Sequence, residues 1–256
     1  MIPAGSQPIL EIACFNPKSA LIAAEAGADR IELCQDYRLG GLSADPATLE
    51  ALKAQLAIPI YAMVRPHAEH FCYETADFEV MKETLNSLKA AGADGFVFGI
   101  LNQSPQESYS SAMPWVDVSR NKELIRLAEG RPCTFHRAFD LIPETDWETA
   151  LADIMDCGFA SILTNGGPSG TEAVQCVGKL QTLLRWKQTQ LSGHPTMQCL
   201  KVPEIIIGGG VRASNIGLLH GMTGATAFHS AALRGPRELV CEDEVLGMKC
   251  QIATPQ

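Results

Sequence analysis

Ala26-Gly27-Ala28-Asp29 runs directly into Arg30-Ile31-Glu32-Leu33-Cys34, and Ala91-Gly92-Ala93-Asp94 runs in the same way into Gly95-Phe96-Val97-Phe98-Gly99-Ile100. Each turn closes a helical pattern, Ala20 to Asp29 in one case and Leu85 to Asp94 in the other, and opens a β-branched or aromatic run. The glycine supplies the left-handed residue with which a helix stops. Working outward, Asp153 to Phe159 leads into Ala160-Ser161-Ile162-Leu163-Thr164-Asn165, and Leu218 to Gly224 leads into Ala225-Thr226-Ala227-Phe228-His229-Ser230. Ile9 to Cys14, Ile58 to Val64, Cys133 to Arg137 and Glu204 to Ile207 are four further strand candidates, each set off by a helix-length segment. Eight strands alternating with helices predict an α/β protein, a single-domain (β/α)8 TIM barrel over about residues 8–234 with the tail 235–256 capping it. A doubly wound sheet would place a glycine fingerprint after its first strand, and Cys14-Phe15-Asn16-Pro17-Lys18-Ser19 contains no glycine. Two segments, Gln103 to Arg120 and Lys187 to Val202, break the rhythm and read as long surface loops.

Composition narrows the function. The chain has 256 residues, 46% of them hydrophobic, which is enough to bury a large core, and its net charge of −9 comes without a basic stripe. Nucleic-acid binding, which draws on counterion release by clustered cations, is thereby excluded. No apolar run approaches the ~20 residues that span a bilayer, and Met1-Ile2-Pro3-Ala4-Gly5-Ser6 lacks the basic-then-apolar order of a secretion signal, so a protein away from membranes is expected. Nine cysteines without a Cys-x-x-Cys pair fit neither a disulfide framework nor a zinc finger. They predict a reducing cytoplasm or nucleus.

Chemistry concentrates at strand ends. Cys133-Thr134-Phe135-His136-Arg137-Ala138-Phe139-Asp140 places a histidine, an arginine and a carboxylate at the end of a buried strand, where a barrel keeps its active groups. With Glu11, Glu32, Arg65, Thr164 and His229 they form a set open to two readings. In one, the charges pair with one another, as buried charges must. In the other, His136 or a glutamate is a general acid or base, and Arg65 and Arg137 clamp a small anionic substrate, phosphorylated or not. The turns holding Gly166, Gly167, Gly209, Gly210 and Arg212 lie where barrels often bind phosphate, although glycine also serves wherever a chain bends tightly.

The ordered ensemble Ala28 to Cys34, Gly40-Gly41-Leu42, Arg65-Pro66 with Phe71 and Tyr73, Thr134 to Asp140, Leu163-Thr164, Gly208 to Arg212 and His229-Ser230 resembles the CutC family of copper-homeostasis proteins. The resemblance runs from Leu10 to about Arg234 and implies a barrel fold and Cu(I) binding. It makes Cys34 the first metal candidate, since Cu(I) prefers thiolate and thioether donors. Cys14 is the second; relatives commonly place a cysteine where this chain has Ala13, so Cys14 stands one position away, on the opposite face of its strand. The alternative for each thiol is a small buried hydrophobe. His67, His70 and Cys72 stand in a loop where the family carries glycines, and their spacing suggests a further copper or zinc site. Three functions are thus expected: Cu(I) homeostasis, catalysis on a small anion, or a non-catalytic barrel serving as a scaffold or homo-oligomer.

Overall fold

The structure is a computed structural model that describes residues 7–103, 114–193, 202–234 and 238–253. Its parallel strands β1 (Ile9–Cys14), β2 (Arg30–Leu33), β3 (Ile60–Met63), β4 (Gly95–Phe98), β7 (Cys133–Phe135), β8 (Ser161–Thr164), β9 (Glu204–Ile207) and β10 (Ala227–Ser230) close into a barrel, β10 pairing back onto β1. All eight lie within the segments expected from sequence. Around them run α1 (Pro17–Glu25), α2 (Pro46–Lys53), α3 (Thr75–Ala90), α4 (Val118–Leu127), α5 (Trp147–Cys157), α6 (Val177–Gly193), α7 (Ile216–Thr223) and α8 (Glu242–Ala253).

The repeated Ala-Gly-Ala-Asp turn has a shared physical cause. Asp29 Oδ2 accepts the N–H of Leu10 at 2.7 Å, and Asp94 Oδ2 accepts the N–H of Ile60 at the same distance. Each aspartate ties its own strand to the start of the preceding one. Each also meets a lysine, Lys249 on Asp29 at 2.8 Å and Lys53 on Asp94 at 2.7 Å. Gly27 and Gly92 just before them take φ of +90° and +92°, which only glycine adopts without strain.

Three expectations need correction. The tail is the eighth helix of the ring rather than a cap: α8 buries Val245, Met248 and Ile252, packs between α1 and α7, and sends Lys249 to Asp29. The segment from Gln103 is not a plain loop, because Trp115–Val116 (β6) pairs antiparallel with Leu101–Asn102 (β5) and Asp117 caps α4 through Arg120 N. Buried Asn121 fixes this ribbon by bonding both backbone groups of Ile100. The second segment is helical as far as Gly193, the end of α6. The rest of both segments, 104–113 and 194–201, lies outside the described residues.

Strand alternation divides the interior in two. Leu10, Ile12 and Cys14 face the helices with Phe96, Phe98, Phe135 and Phe228, all almost fully buried. Each such side chain contributes about 1.5–3 kcal/mol by leaving water. The other parity fills the lumen with Arg30, Tyr61, Met63, Val97 and Leu163. Bulk there is balanced by glycine: a Cβ on Gly95 would come within 2.7 Å of the Tyr61 ring, and one on Gly208 within 2.6 Å of Leu163. That exchange of volumes keeps the lumen packed.

Candidate functional site

The lumen holds a buried charge cluster. Glu11 on β1 is the register partner of Arg30 on β2 and of His229 on β10. Its Oε2 accepts Arg30 Nε at 2.5 Å and its Oε1 lies 2.7 Å from His229 Nδ1. The guanidinium of Arg30 lies over the Tyr61 ring at 4.3 Å. Burial alone would raise the Glu11 carboxyl, but Arg30 and His229 outweigh it and bring the pKa from 4.5 to about 2. His229 loses by burial and gains more from Glu32 and Glu11, so its pKa is raised. Glu32, 4.0 Å from His229, is raised chiefly by burial.

Glu11, Glu32 and His229 offer donor atoms within 4.8 Å of one another, alone among the described residues in meeting a metal-binding geometry. Both oxygens of Glu11 are already engaged. The cluster is therefore an ion-pair network that fixes Glu32 beneath the mouth, in line with the pairing expected of buried charges.

Above it opens a cavity of 220 Å³ lined in part by Glu32, Cys34, Met63, Arg65, His136, Arg137 and His229. Cys34 Sγ lies 3.3 Å from Glu32 Oε1, while Glu32 Oε2 is buried without a hydrogen bond, 4.0 Å from His229 Nδ1. Burial, then the Glu32 charge, holds the Cys34 thiol well above its ordinary range. Arg65 sends Nη1 to the carbonyls of Gly40 and Gly41, each at 3.2 Å, and Nη2 to Ala68 O at 3.0 Å. Gly40 and Gly41 take φ of +77° and +90°, the left-handed turn that brings those carbonyls to the guanidinium.

His136 Nδ1 accepts the N–H of Ala138 at 3.3 Å, which puts the ring proton on Nε2. Burial first, then the Arg65 charge, lowers its pKa to about 3. A neutral imidazole with a donor at Nε2 results. Phe71 packs on its ring at 4.6 Å. Arg137 Nε donates to Asp140 at 2.7 Å, and Asp140 is anchored by Thr164 Oγ1 at 2.5 Å and Asn165 N at 3.2 Å. Asp140 and Glu11 do not line the cavity; they position Arg137 and the floor.

The other candidate residues lie elsewhere. Cys14 is fully buried on the helix-facing side while Ala13 faces the cavity, so the structure does not bring Cys14 and Cys34 into one site. His67 and His70 stack edge to face at 5.6 Å, and Cys72 turns toward the core. These three do not gather their donor atoms within metal-binding distance of one another. The first glycine turn has its amides engaged within the protein. The amides of Gly166 and Gly167 donate to Thr164 Oγ1 and Asn165 Oδ1, and a Cβ on either would strike Leu180 or Cys176. Gly209 and Gly210 do not line the cavity, and Arg212 Nη1 donates to Val211 O and Ser230 Oγ.

Sequence reading passed over Arg30 and Met63. Both share parity with a residue that had been singled out, Arg30 with Glu32 and Met63 with Arg65, and that signal sufficed to put them in the lumen. A second, open groove of 510 Å³ over α7 and α8 carries Leu218, Met222 and Gln251 but no titratable side chain.

The sequence model of the CutC family matches residues 8–234. A CutC family protein of Photorhabdus laumondii is 36% identical over 229 residues, covering 88% of this chain and 80% of that one. The copper homeostasis protein cutC homolog of Caenorhabditis elegans is 33% identical over 225 residues, covering 87% and 80%. Among solved structures, a CutC protein of Streptococcus agalactiae superposes with a TM-score of 0.75 at 23% identity, covering 88% of this chain and 98% of that one. Phosphoribosylanthranilate isomerase of Thermotoga maritima does so with 0.57 at 15%, covering 96% and 98%. At these identities the superpositions speak for the barrel fold.

Proposed function

The chain belongs to the CutC family, and we propose that it serves copper homeostasis in the cytoplasm by binding Cu(I) at Cys34 in the barrel mouth. One observation carries this reading: the Cys34 thiol shares its lumen cluster and its cavity with the Met63 thioether. Leu33 pairs with Ala62, so the next residues, Cys34 and Met63, stand side by side on neighbouring strands with the same inward parity. A thiolate and a thioether in a buried setting suit a soft ion of low coordination number. The thiol proton must leave as the Cu–S bond forms, and Glu32 Oε1 at 3.3 Å is placed to receive it. Thiolate and Cu(I) then cancel in charge, which limits the cost of burial. The free thiols of Cys14, Cys34, Cys72, Cys133, Cys157, Cys176 and Cys241 accord with a reducing compartment. Among the described residues no helix is long and apolar enough to cross a membrane.

The test is anaerobic titration of the reduced protein with Cu(I) against a competing chelator. One equivalent bound by the wild type and by Cys14→Ser, and lost in Cys34→Ser, supports the reading. Binding retained in Cys34→Ser defeats it.

A further inference from the structure

We propose that the same barrel mouth has a second ligand, a small hydroxylated carboxylate whose carboxyl group is held by Arg65, His136 and Arg137 and whose hydroxyl donates to Glu32. Four residues that line this one cavity each carry a buried polar atom without a hydrogen-bond partner: Arg65 Nε, His136 Nε2, Arg137 Nη2 and Glu32 Oε2. Leaving such atoms unsatisfied costs about 1–3 kcal/mol each, so a cluster of them marks a place built for something else to fill.

Their chemistry fixes the ligand. The first three are donors and the fourth is an acceptor. Arg65 engages both Nη groups on carbonyls and Arg137 engages Nε on Asp140, so the buried nitrogens left without a partner are Arg65 Nε and Arg137 Nη2. Single donors converging from the ends of β3 and β7 suit an oxyanion approached from several sides rather than one clasped by a bidentate fork. Arg137 is balanced by Asp140, whereas Arg65, 8% exposed, pairs with no carboxylate among the described residues. One uncompensated buried cation calls for a monoanion. Glu32 Oε2 refuses a bare anion and requires a ligand O–H. A volume of 220 Å³ lies below the ~300–1,000 Å³ of drug-sized sites, so the ligand is only a few carbons long.

Glycerate is the smallest convenient probe of this class. Copper-free reduced wild type is heated with D-glycerate, L-glycerate, propionate, glycerol or sodium chloride at matched ionic strength, and affinities are measured by calorimetry. A ligand bound only by the native state must raise the midpoint with its concentration. We expect a saturable rise with one glycerate enantiomer, a weaker one with propionate and none with glycerol or chloride. Arg137→Met weakens glycerate about tenfold or more, the loss of one charge-assisted hydrogen bond. Glu32→Gln abolishes the preference for glycerate over propionate. No saturable rise with either enantiomer, an equal rise with glycerol, or full affinity in Arg137→Met would overturn the proposal. The wild-type probe series decides the matter even if a variant fails to fold. With no copper present, its failure leaves the Cu(I) reading untouched, and the reverse also holds.

Discussion

Glu11 and His229 face each other as register partners on β1 and β10, with Glu11 Oε1 2.7 Å from His229 Nδ1. The pair ties the first barrel strand to the last at the point where the barrel closes. Because Arg30 takes the other oxygen at 2.5 Å, one carboxylate joins three strands.

This arrangement sets the pH range of stability. Glu11 falls from 4.5 to about 2 on folding, so its contribution is present above pH 4.5 and fades as pH drops toward 2. His229 is raised above 6.5, so its contribution is complete below pH 6.5 and is lost as pH rises through the folded value. Denaturant unfolding measured across pH should give a plateau between these limits. His229→Gln should flatten the alkaline fall; an unchanged fall would refute the assignment.

Glu11→Gln leaves the Arg30 side chain, 13% exposed, without its counter-charge. The expected loss is about 3–5 kcal/mol, read from urea unfolding at neutral pH. A cost below about 1 kcal/mol, the scale of an exposed pair, would show that the cluster does not bind the barrel together.

Gly95→Ala would put a methyl 2.7 Å from both Pro132 O and the Tyr61 ring. Backbone cannot retreat as a side chain can, so the variant should lose roughly 1–3 kcal/mol. Gly99→Ala, aimed at His136 Nδ1 from 2.8 Å, should also displace the imidazole, visible as a shift of its ring resonances.

His136 should remain neutral, with its proton on Nε2, from pH 8 down to about 4, since its pKa lies near 3. Nitrogen-15 NMR of the histidine rings checks this directly. Titration near the ordinary 6.5 would mean the ring is open to water.

The barrel was legible because its determinants are local: helix stops at Gly27 and Gly92, strand ties at Asp29 and Asp94, and alternation within each strand. Strand parity raised the question of which face Cys14 takes, and the packing of the barrel answers it. The eighth helix was harder to read, because α8 is amphipathic only weakly and is held by distant groups such as Asp29. The roles of Arg65 and the glycine turns depended on where carbonyls and hydroxyls point, as with Gly40 O or Thr164 Oγ1, and spacing does not encode direction. The hydrogen bonding of His136 was hidden for the same reason: nothing in Phe135-His136-Arg137 reveals that Ala138 N occupies Nδ1.

The most direct test of the Cu(I) account is X-ray absorption at the copper edge on the one-to-one complex, wild type against Met63→Leu. Two sulfur neighbours in the wild type falling to one in Met63→Leu would fit the paired thiolate and thioether of Cys34 and Met63. A first shell of nitrogen and oxygen, or a sulfur count indifferent to Met63, would contradict it.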